Sequence, residues 1–425
     1  MAVVLARALA SLALSCVMLL SSAPALRGQP SSLRAVVTAK QPAPGGGIFE
    51  HFSIESLPIV APINRKGQVA FFATLLRGAA GEGIFLSSGA RITKVAQEGD
   101  RVPGGGAISG FGRHPIPALN ESGTVAFAAA VTSGKTVEGI FLASQGRLQV
   151  IALAGAPAPG FPSGTLANLD APSLNDRGDI AFVATVRRGR ETSEAIYLHS
   201  RNKLLKVVGQ GDAAPAGGTF AGFGPPSLNN RGVIAFGAVV EGRGVPGGIF
   251  IAEAGQVRMV LGAGEDTPLG GIFAKFSERV TLNDAGTVAF QAQLKSAPVQ
   301  AAIVTLADGR PRSVAALGDT APGGGTFSSF GLWPAVAADG TVGFTASVDG
   351  GTSPAGIFVS GSAGITRLAS LGDGAPGGGT LVTFTLYPAI SISAAGAVTF
   401  AAAPSAIGEG VEGLYVVERS RPGAR

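Results

Sequence analysis

The sequence predicts an all-β protein, a seven-bladed β-propeller of four-stranded blades closed by an N-terminal strand that completes the last blade. Three observations predict it. First, a ten-residue segment recurs: "PINRKGQVAF", "ALNESGTVAF", "SLNDRGDIAF", "SLNNRGVIAF", "TLNDAGTVAF", "AVAADGTVGF" and "SISAAGAVTF". Its glycines are Gly67, Gly123, Gly178, Gly232, Gly286, Gly340 and Gly396, at spacings of 56, 55, 54, 54, 54 and 56 residues. A period this regular marks a repeat architecture. Second, each period holds four short runs that suit strands, and no helical period occurs after residue 25. Third, the ends complement each other. The last unit stops after "GLYVVER", without a fourth run, while "LRAVVTAKQPAPGGGIFEHF" near the N-terminus resembles the fourth-run segment "ITKVAQEGDRVPGGGAISGF". Leu33 to Ala39 can therefore pair with the strand around Gly413 to Val417 and remove two exposed edges.

The elements follow in order. Residues 1–25 read as a secretory signal: Arg7 as the basic start, Ala8 to Leu20 as the apolar stretch, and Ala23-Pro24-Ala25 as the cleavage site. This apolar stretch is too short for a membrane span. The single cysteine, Cys16, lies in the removed segment, so no disulfide is expected. Residues 26–418 read as one propeller domain, and 419–425 as a short polar tail. Within a repeat, "APSLN" is the first strand and Asn175 opens a type I turn that Gly178 closes. "DIAFVATV", "AIYLHS" and "LLKVVGQ" are the next three strands, and the Gly/Pro-rich "GDAAPAGGTFAGF" links to the next unit. Runs such as "VAFAAAV" are apolar or small on both faces, as expected of strands stacked between close neighbouring sheets. A β-helix would need shorter coils. The turn asparagines Asn64, Asn120, Asn175, Asn229 and Asn283 recur as structural residues. The Arg177-Gly178-Asp179 tripeptide falls across two positions that vary between copies, so it reads as a solvated turn and not as an adhesion motif.

The pattern Asn-x-x-Gly-x-(Val/Ile)-Ala-Phe, then Gly-Ile-Phe and Gly-Asp-x-x-Pro-Gly-Gly, resembles the bacterial choice-of-anchor tandem repeat proteins named for NxxGxxAF. The resemblance covers Leu33 to Val417, with Ala337 and Ser393 departing from the asparagine position. It implies an exported protein at the cell surface and no assigned reaction. The tail "VERSRPGAR" lacks the apolar segment of a C-terminal sorting signal.

Composition bounds the partners. Charged residues make up 14% of the chain and the net charge is +5, with basic residues scattered, which argues against a nucleic-acid groove. The three histidines, His51, His114 and His199, fall at different places in different repeats, with no zinc spacing. No catalytic motif of the GxSxG, P-loop or HExxH kind occurs. No metal or cofactor is expected. The recurring acids Asp100, Asp212, Glu265, Asp319 and Asp373 read as turn caps, with loop-bound Ca²⁺ as the rival reading.

A single site must come from positions that differ between repeats. Just before the first strand of each unit, two adjacent positions hold Arg113 and His114, Asp170, Glu278 and Arg279, Trp333, and Tyr387. These are expected to ring one mouth of the channel, with the variable second-to-third-strand loops on the same face. The reading that follows is a secreted or cell-surface monomer that binds an extracellular glycan, peptide or surface protein. The alternative is an extracellular hydrolase or lyase at that mouth, with His114 and a carboxylate as its acid–base pair.

Overall fold

A computed structural model describes residues 32–52, 60–112, 114–133, 135–242, 244–362, 364–384, 389–404 and 411–418. The expected signal segment, the polar tail, Arg113 and Tyr387 lie outside them. Blade 3 shows the common plan. Its inner strand comes in two pieces, Thr165–Leu169 and Ser173–Leu174, both paired with the second strand, Ile180–Arg188. The third strand, Glu191–Ser200, and the outer strand, Lys203–Gly209, complete an antiparallel sheet. Seven such sheets follow one another along the chain, which makes the protein a seven-bladed β-propeller. In the seventh, the third strand Gly413–Glu418 pairs with Ser32–Thr38, in the register Leu33↔Val417 to Thr38↔Gly413. The N-terminal strand closes the ring as the sequence predicts. One expectation is corrected: the "TFxxF" segment is no linker but the first half of the inner strand.

The repeated motif has a packing reason. Phenylalanine of the second strand stands opposite an aromatic of the third, as in Phe71↔Phe85, Phe127↔Phe141 and Phe182↔Tyr197. These rings stack at 5.6, 5.7 and 6.1 Å. In blade 2 the glycine two residues before the third-strand aromatic makes room for that ring, since a Cβ on Gly139 would sit 2.8 Å from the Phe141 ring. Core clusters lie between successive blades. One joins Ala126, Ala128 and Ile140 of blade 2 to Leu166, Ile180, Phe182 and Tyr197 of blade 3. The small alanines let the sheets approach, which is why the strands read apolar on both faces.

The turn asparagines do more than close turns. Asn175 Oδ1 accepts from the N–H groups of Arg177 (3.0 Å) and Asp179 (2.9 Å), while Nδ2 donates to the carbonyl of Asn229 in the next blade at 3.1 Å. The same amide-to-carbonyl bond runs from Asn64 to Asn120, Asn120 to Asn175, Asn229 to Asn283 and Asn283 to Ala337. At Ala337 the chain of bonds ends, and Asp339 caps the local turn through the Thr341 N–H instead. Ser393 caps its own turn through the N–H groups of Ala395 and Ala397.

The Arg-Gly-Asp stretch is not a solvated turn at its acid. Asp179 is 8% exposed and its carboxylate bonds Asn175 Nδ2 and the Arg177 guanidinium. An acid folded back on its own arginine is not available to a receptor. Burial by itself would raise the Asp179 carboxyl. Hydrogen bonds from Ser200, Asn175 and Arg177, together with the Arg177 charge, outweigh it and hold the group below its ordinary value of 3.8. The folded state therefore prefers the ionised form. That contribution is present above the ordinary value and is lost as pH falls through the lower folded one. Asp179→Asn should destabilise the protein near neutrality, and the urea midpoints of variant and wild type should converge on acidification below about pH 4. A constant difference across that range would remove this assignment.

Candidate functional site

In several blades the inner strand breaks where a proline withholds its N–H from the ladder, as at Pro172, Pro225 and Pro226, and Pro334; in blade 5 the break holds Ser277 to Val280 without a proline. The break carries the varied positions that the sequence singles out. They sit between the two pieces of the inner strand, within the channel wall, because pairing already begins at the "TFxxF" segment. The sequence placed them ahead of the strand, at a mouth.

The structure brings three of these residues together. His114 Nδ1 of blade 2 lies 2.6 Å from Asp170 Oδ1 of blade 3, an imidazole–carboxylate pair between blades. The same oxygen accepts the Ala171 N–H at 2.7 Å, and the Asp170 N–H is fixed to the Val183 carbonyl at 3.0 Å. Glu278 of blade 5 borders the same cavity, which measures about 270 Å³. Blades 4 and 5 meet closely here: a Cβ on Gly224 would lie 1.9 Å from the Glu278 carbonyl oxygen, so the position tolerates no side chain without a shift.

Arg279 and Trp333 form a second group beside the first. The Arg279 guanidinium lies over the Trp333 ring at 5.3 Å. Burial pushes that guanidinium below its ordinary value, and the Asp170 charge offsets part of the effect. Trp333 also packs on an apolar plug of Val60, Ile116, Ala171 and Ala389, contributed by blades 1, 2, 3 and 7. One ring face is thus occupied by Arg279, so Trp333 does not stand as an open stacking wall.

Two acids that sequence reasoning passed over complete the cavity. Glu138 and Glu194 lie in the first half of the third strands of blades 2 and 3 and line it with Asn168, Thr185, Phe111 and Phe223. Each reaches into the next blade's inner strand: Glu138 Oε2 accepts the Leu169 N–H at 2.8 Å, and Glu194 Oε2 the Phe223 N–H at 3.4 Å. In the sequence they end the variable second-to-third-strand loops "TSGKTVE" and "RRGRETSE". The available signal was their recurrence before "GIF" or "AIY" in some repeats and its failure in others. Four carboxylates, one imidazole, an amide and a hydroxyl now converge. Of the described residues lining the cavity, none is Lys or Arg. A cleft of one charge sign with apolar walls concentrates the opposite charge. The recurring loop acids lie elsewhere and cap turns, as where Asp212 Oδ2 accepts the Gly209 N–H at 2.8 Å.

Fold and site together define a β-propeller with an acidic cavity set into its inner strands. The chain belongs to the family of unknown function DUF7453, which it matches over residues 21–247 and again over 227–420. No curated protein matches it. Among solved structures it is similar to a Mycobacterium tuberculosis puromycin-hydrolyzing peptidase, at 14% identity and a TM-score of 0.47, covering 89% of this chain and 56% of that one. It is also similar to polysaccharide lyase Uly1, at 9% identity and a TM-score of 0.45, covering 90% and 95%. A third is the propeller domain of the Trilobed protease from Pyrococcus furiosus, at 12% identity and a TM-score of 0.35, covering 76% and 97%. The chain spans little more than half of the puromycin-hydrolyzing peptidase. Among the described residues no helix is long and apolar enough to cross a membrane.

Proposed function

We propose that this protein is an exported propeller that binds a cation-bearing extracellular ligand in the cavity around His114 and Asp170. The observation that carries the reading is the convergence of Asp170, Glu138, Glu194 and Glu278 on one cavity of about 270 Å³. Ligands that fit carry a primary amine beside hydroxyl or amide groups, as an amino-sugar glycan or a lysine side chain of a peptide does. A protonated amine would donate charge-assisted hydrogen bonds to the carboxylates, while Asn168 and Thr185 meet neutral polar groups. Calorimetric titration should show binding of a glucosamine oligomer and not of its N-acetylated form. Glu138→Gln and Glu278→Gln should each weaken binding about tenfold, the worth of one charge-assisted hydrogen bond. Equal affinity for the acetylated oligomer, or no loss in the double variant, would refute the reading.

One observation favours a second reading, a hydrolase. Asp170 holds His114 through Nδ1, the arrangement by which a carboxylate orients an imidazole for acid–base work. On that reading His114→Ala abolishes turnover of an amine-bearing ester or amide while the affinity for the glucosamine oligomer stays measurable.

A further inference from the structure

We propose that the gap between blades 4 and 5 is a second ligand site, beside the acidic cavity and sharing Glu194, Phe223 and Glu278 with it, shaped for a single carboxylate on a short aliphatic stem. The template is in the chain itself. Glu412, Glu82, Glu138 and Glu194 hold one position, immediately before the glycine or alanine at which the third strand begins to pair with the outer strand in blades 7, 1, 2 and 3. Each carboxylate crosses to the inner strand of the following blade. They accept the N–H groups of Phe52 at 2.9 Å, Phe111 at 2.7 Å, Leu169 at 2.8 Å and Phe223 at 3.4 Å. The same interblade bond is thus made four times in succession.

In blade 4 the position is Gly247, and the bond is not made. The donor it would meet is the Phe276 N–H of blade 5. Ser277 donates to the Gln291 carbonyl at 2.8 Å, so the neighbouring pair Phe276↔Ala292 is the non-bonded pair of the ladder. The Phe276 N–H therefore points away from its own sheet, as the Leu169 N–H does in blade 3. Among the described residues no side chain accepts it. A cavity of about 700 Å³ opens where the glutamate is missing, bordered by Gly247, Phe223, Phe276, Val239, Lys275 and Glu278. Loss of the glutamate alone does not open a cavity. Ala301 and Ala355 hold the position in blades 5 and 6, yet the facing Phe330 and Phe384 are only 8% and 9% exposed. Between blades 4 and 5, in contrast, Phe276 is half-buried and Val239 is 57% exposed.

The vacancy has the complement of a glutamate side chain and more room. Its donor is the Phe276 N–H, its cation is Lys275, and its apolar walls are Phe223, Phe276 and Val239. Glu194 and Glu278 also border it, which disfavours any second anionic group on the ligand. A cavity of this size suits a chain of several carbons.

Hexanoate tests this, with hexanol as the uncharged control, by calorimetry and thermal shift on the full protein. Hexanoate should bind saturably and at least tenfold more tightly than hexanol. Val239→Trp, at an exposed position, should fill the cavity and abolish hexanoate binding. Lys275→Gln should weaken it several-fold, while Glu138→Gln leaves it unchanged even though it weakens the glucosamine oligomer. Failure of hexanoate to bind, equal binding of hexanol, or undiminished binding in both Val239→Trp and Lys275→Gln would overturn the proposal. Of the two cavities, Val239 and Lys275 border only this one and Glu138 only the acidic one, so these variants tell failure of one site from failure of the other.

Discussion

Removing residues 1–38 should leave a protein that melts about 10 °C lower or more, or that fails to give a cooperative transition. The strand Ser32–Thr38 supplies the outer edge of blade 7 through a six-pair register with Gly413–Glu418. Val36 and Val37 are 8% and 1% exposed and pack with Phe49, Phe71, Phe85 and Leu414, while Leu33 and Ala35 pack against Tyr415 and Val417 on the other side. Burial of each large aliphatic side chain contributes about 1.5–3 kcal/mol. Three of them approach the whole stability of an ordinary domain, roughly 5–15 kcal/mol. The deletion also bares the apolar strand "GLYVVE" as an edge, so aggregation should accompany the loss. A synthetic peptide spanning residues 31–40, added in trans, should restore part of the melting temperature. An unchanged transition in the truncated protein would show that ring closure contributes little.

Asn175→Ala should destabilise by about 2–4 kcal/mol, well above the roughly 1 kcal/mol of a single net hydrogen bond. The side chain is 3% exposed and makes four bonds: to the N–H groups of Arg177 and Asp179, to the Asp179 carboxylate and to the Asn229 carbonyl. Its loss leaves buried partners unsatisfied, and each such group costs about 1–3 kcal/mol, with overlap among neighbours. Asn175→Asp keeps the acceptor to the turn but loses both Nδ2 donors and sets a second carboxylate against Asp179 and the Asn229 carbonyl, so near neutrality it should cost at least as much as alanine. Chemical denaturation of the three proteins measures this directly. A cost for Asn175→Ala no larger than that of a solvated turn would mean the interblade bonds carry no weight.

The architecture was legible because its cause is local and repeated. The seven turn glycines, the Phe of "VAF" and the Phe of "GIF" each serve one blade, so each recurs. The closing strand was legible for the same reason, since "LRAVVTAKQPAPGGG" repeats a fourth-strand pattern out of place. What escaped reading depends on contacts between blades. Asn175 reads as a turn residue from its neighbours alone. Its bond to Asn229 lies 54 residues away and appears once the sheets are stacked. Asp179 looks solvated because the equivalent positions vary, but in this blade Arg177 and Asn175 hold it inside. The candidate site was legible in part. His114, Asp170 and Glu278 were marked by their variation within a fixed frame, and they meet at one cavity. Trp333 was marked by the same criterion, yet Arg279 covers it. Glu138 and Glu194 were hidden by the opposite fault: they recur often enough to look like frame, and only the substitutions Gly247, Ala301 and Ala355 reveal that the frame does not require them.

The three histidines make the central claim directly measurable. Imidazole NMR spectra of the protein with and without the glucosamine oligomer resolve His51, His114 and His199 as separate signals, assignable with three single-histidine variants. Binding in the acidic cavity predicts that the His114 ring signals shift in a saturable way while those of His51 and His199 stay in place, and that Glu278→Gln reduces the shift at a given concentration. Saturable binding that leaves His114 unmoved, or that moves His51 or His199 instead, would contradict it.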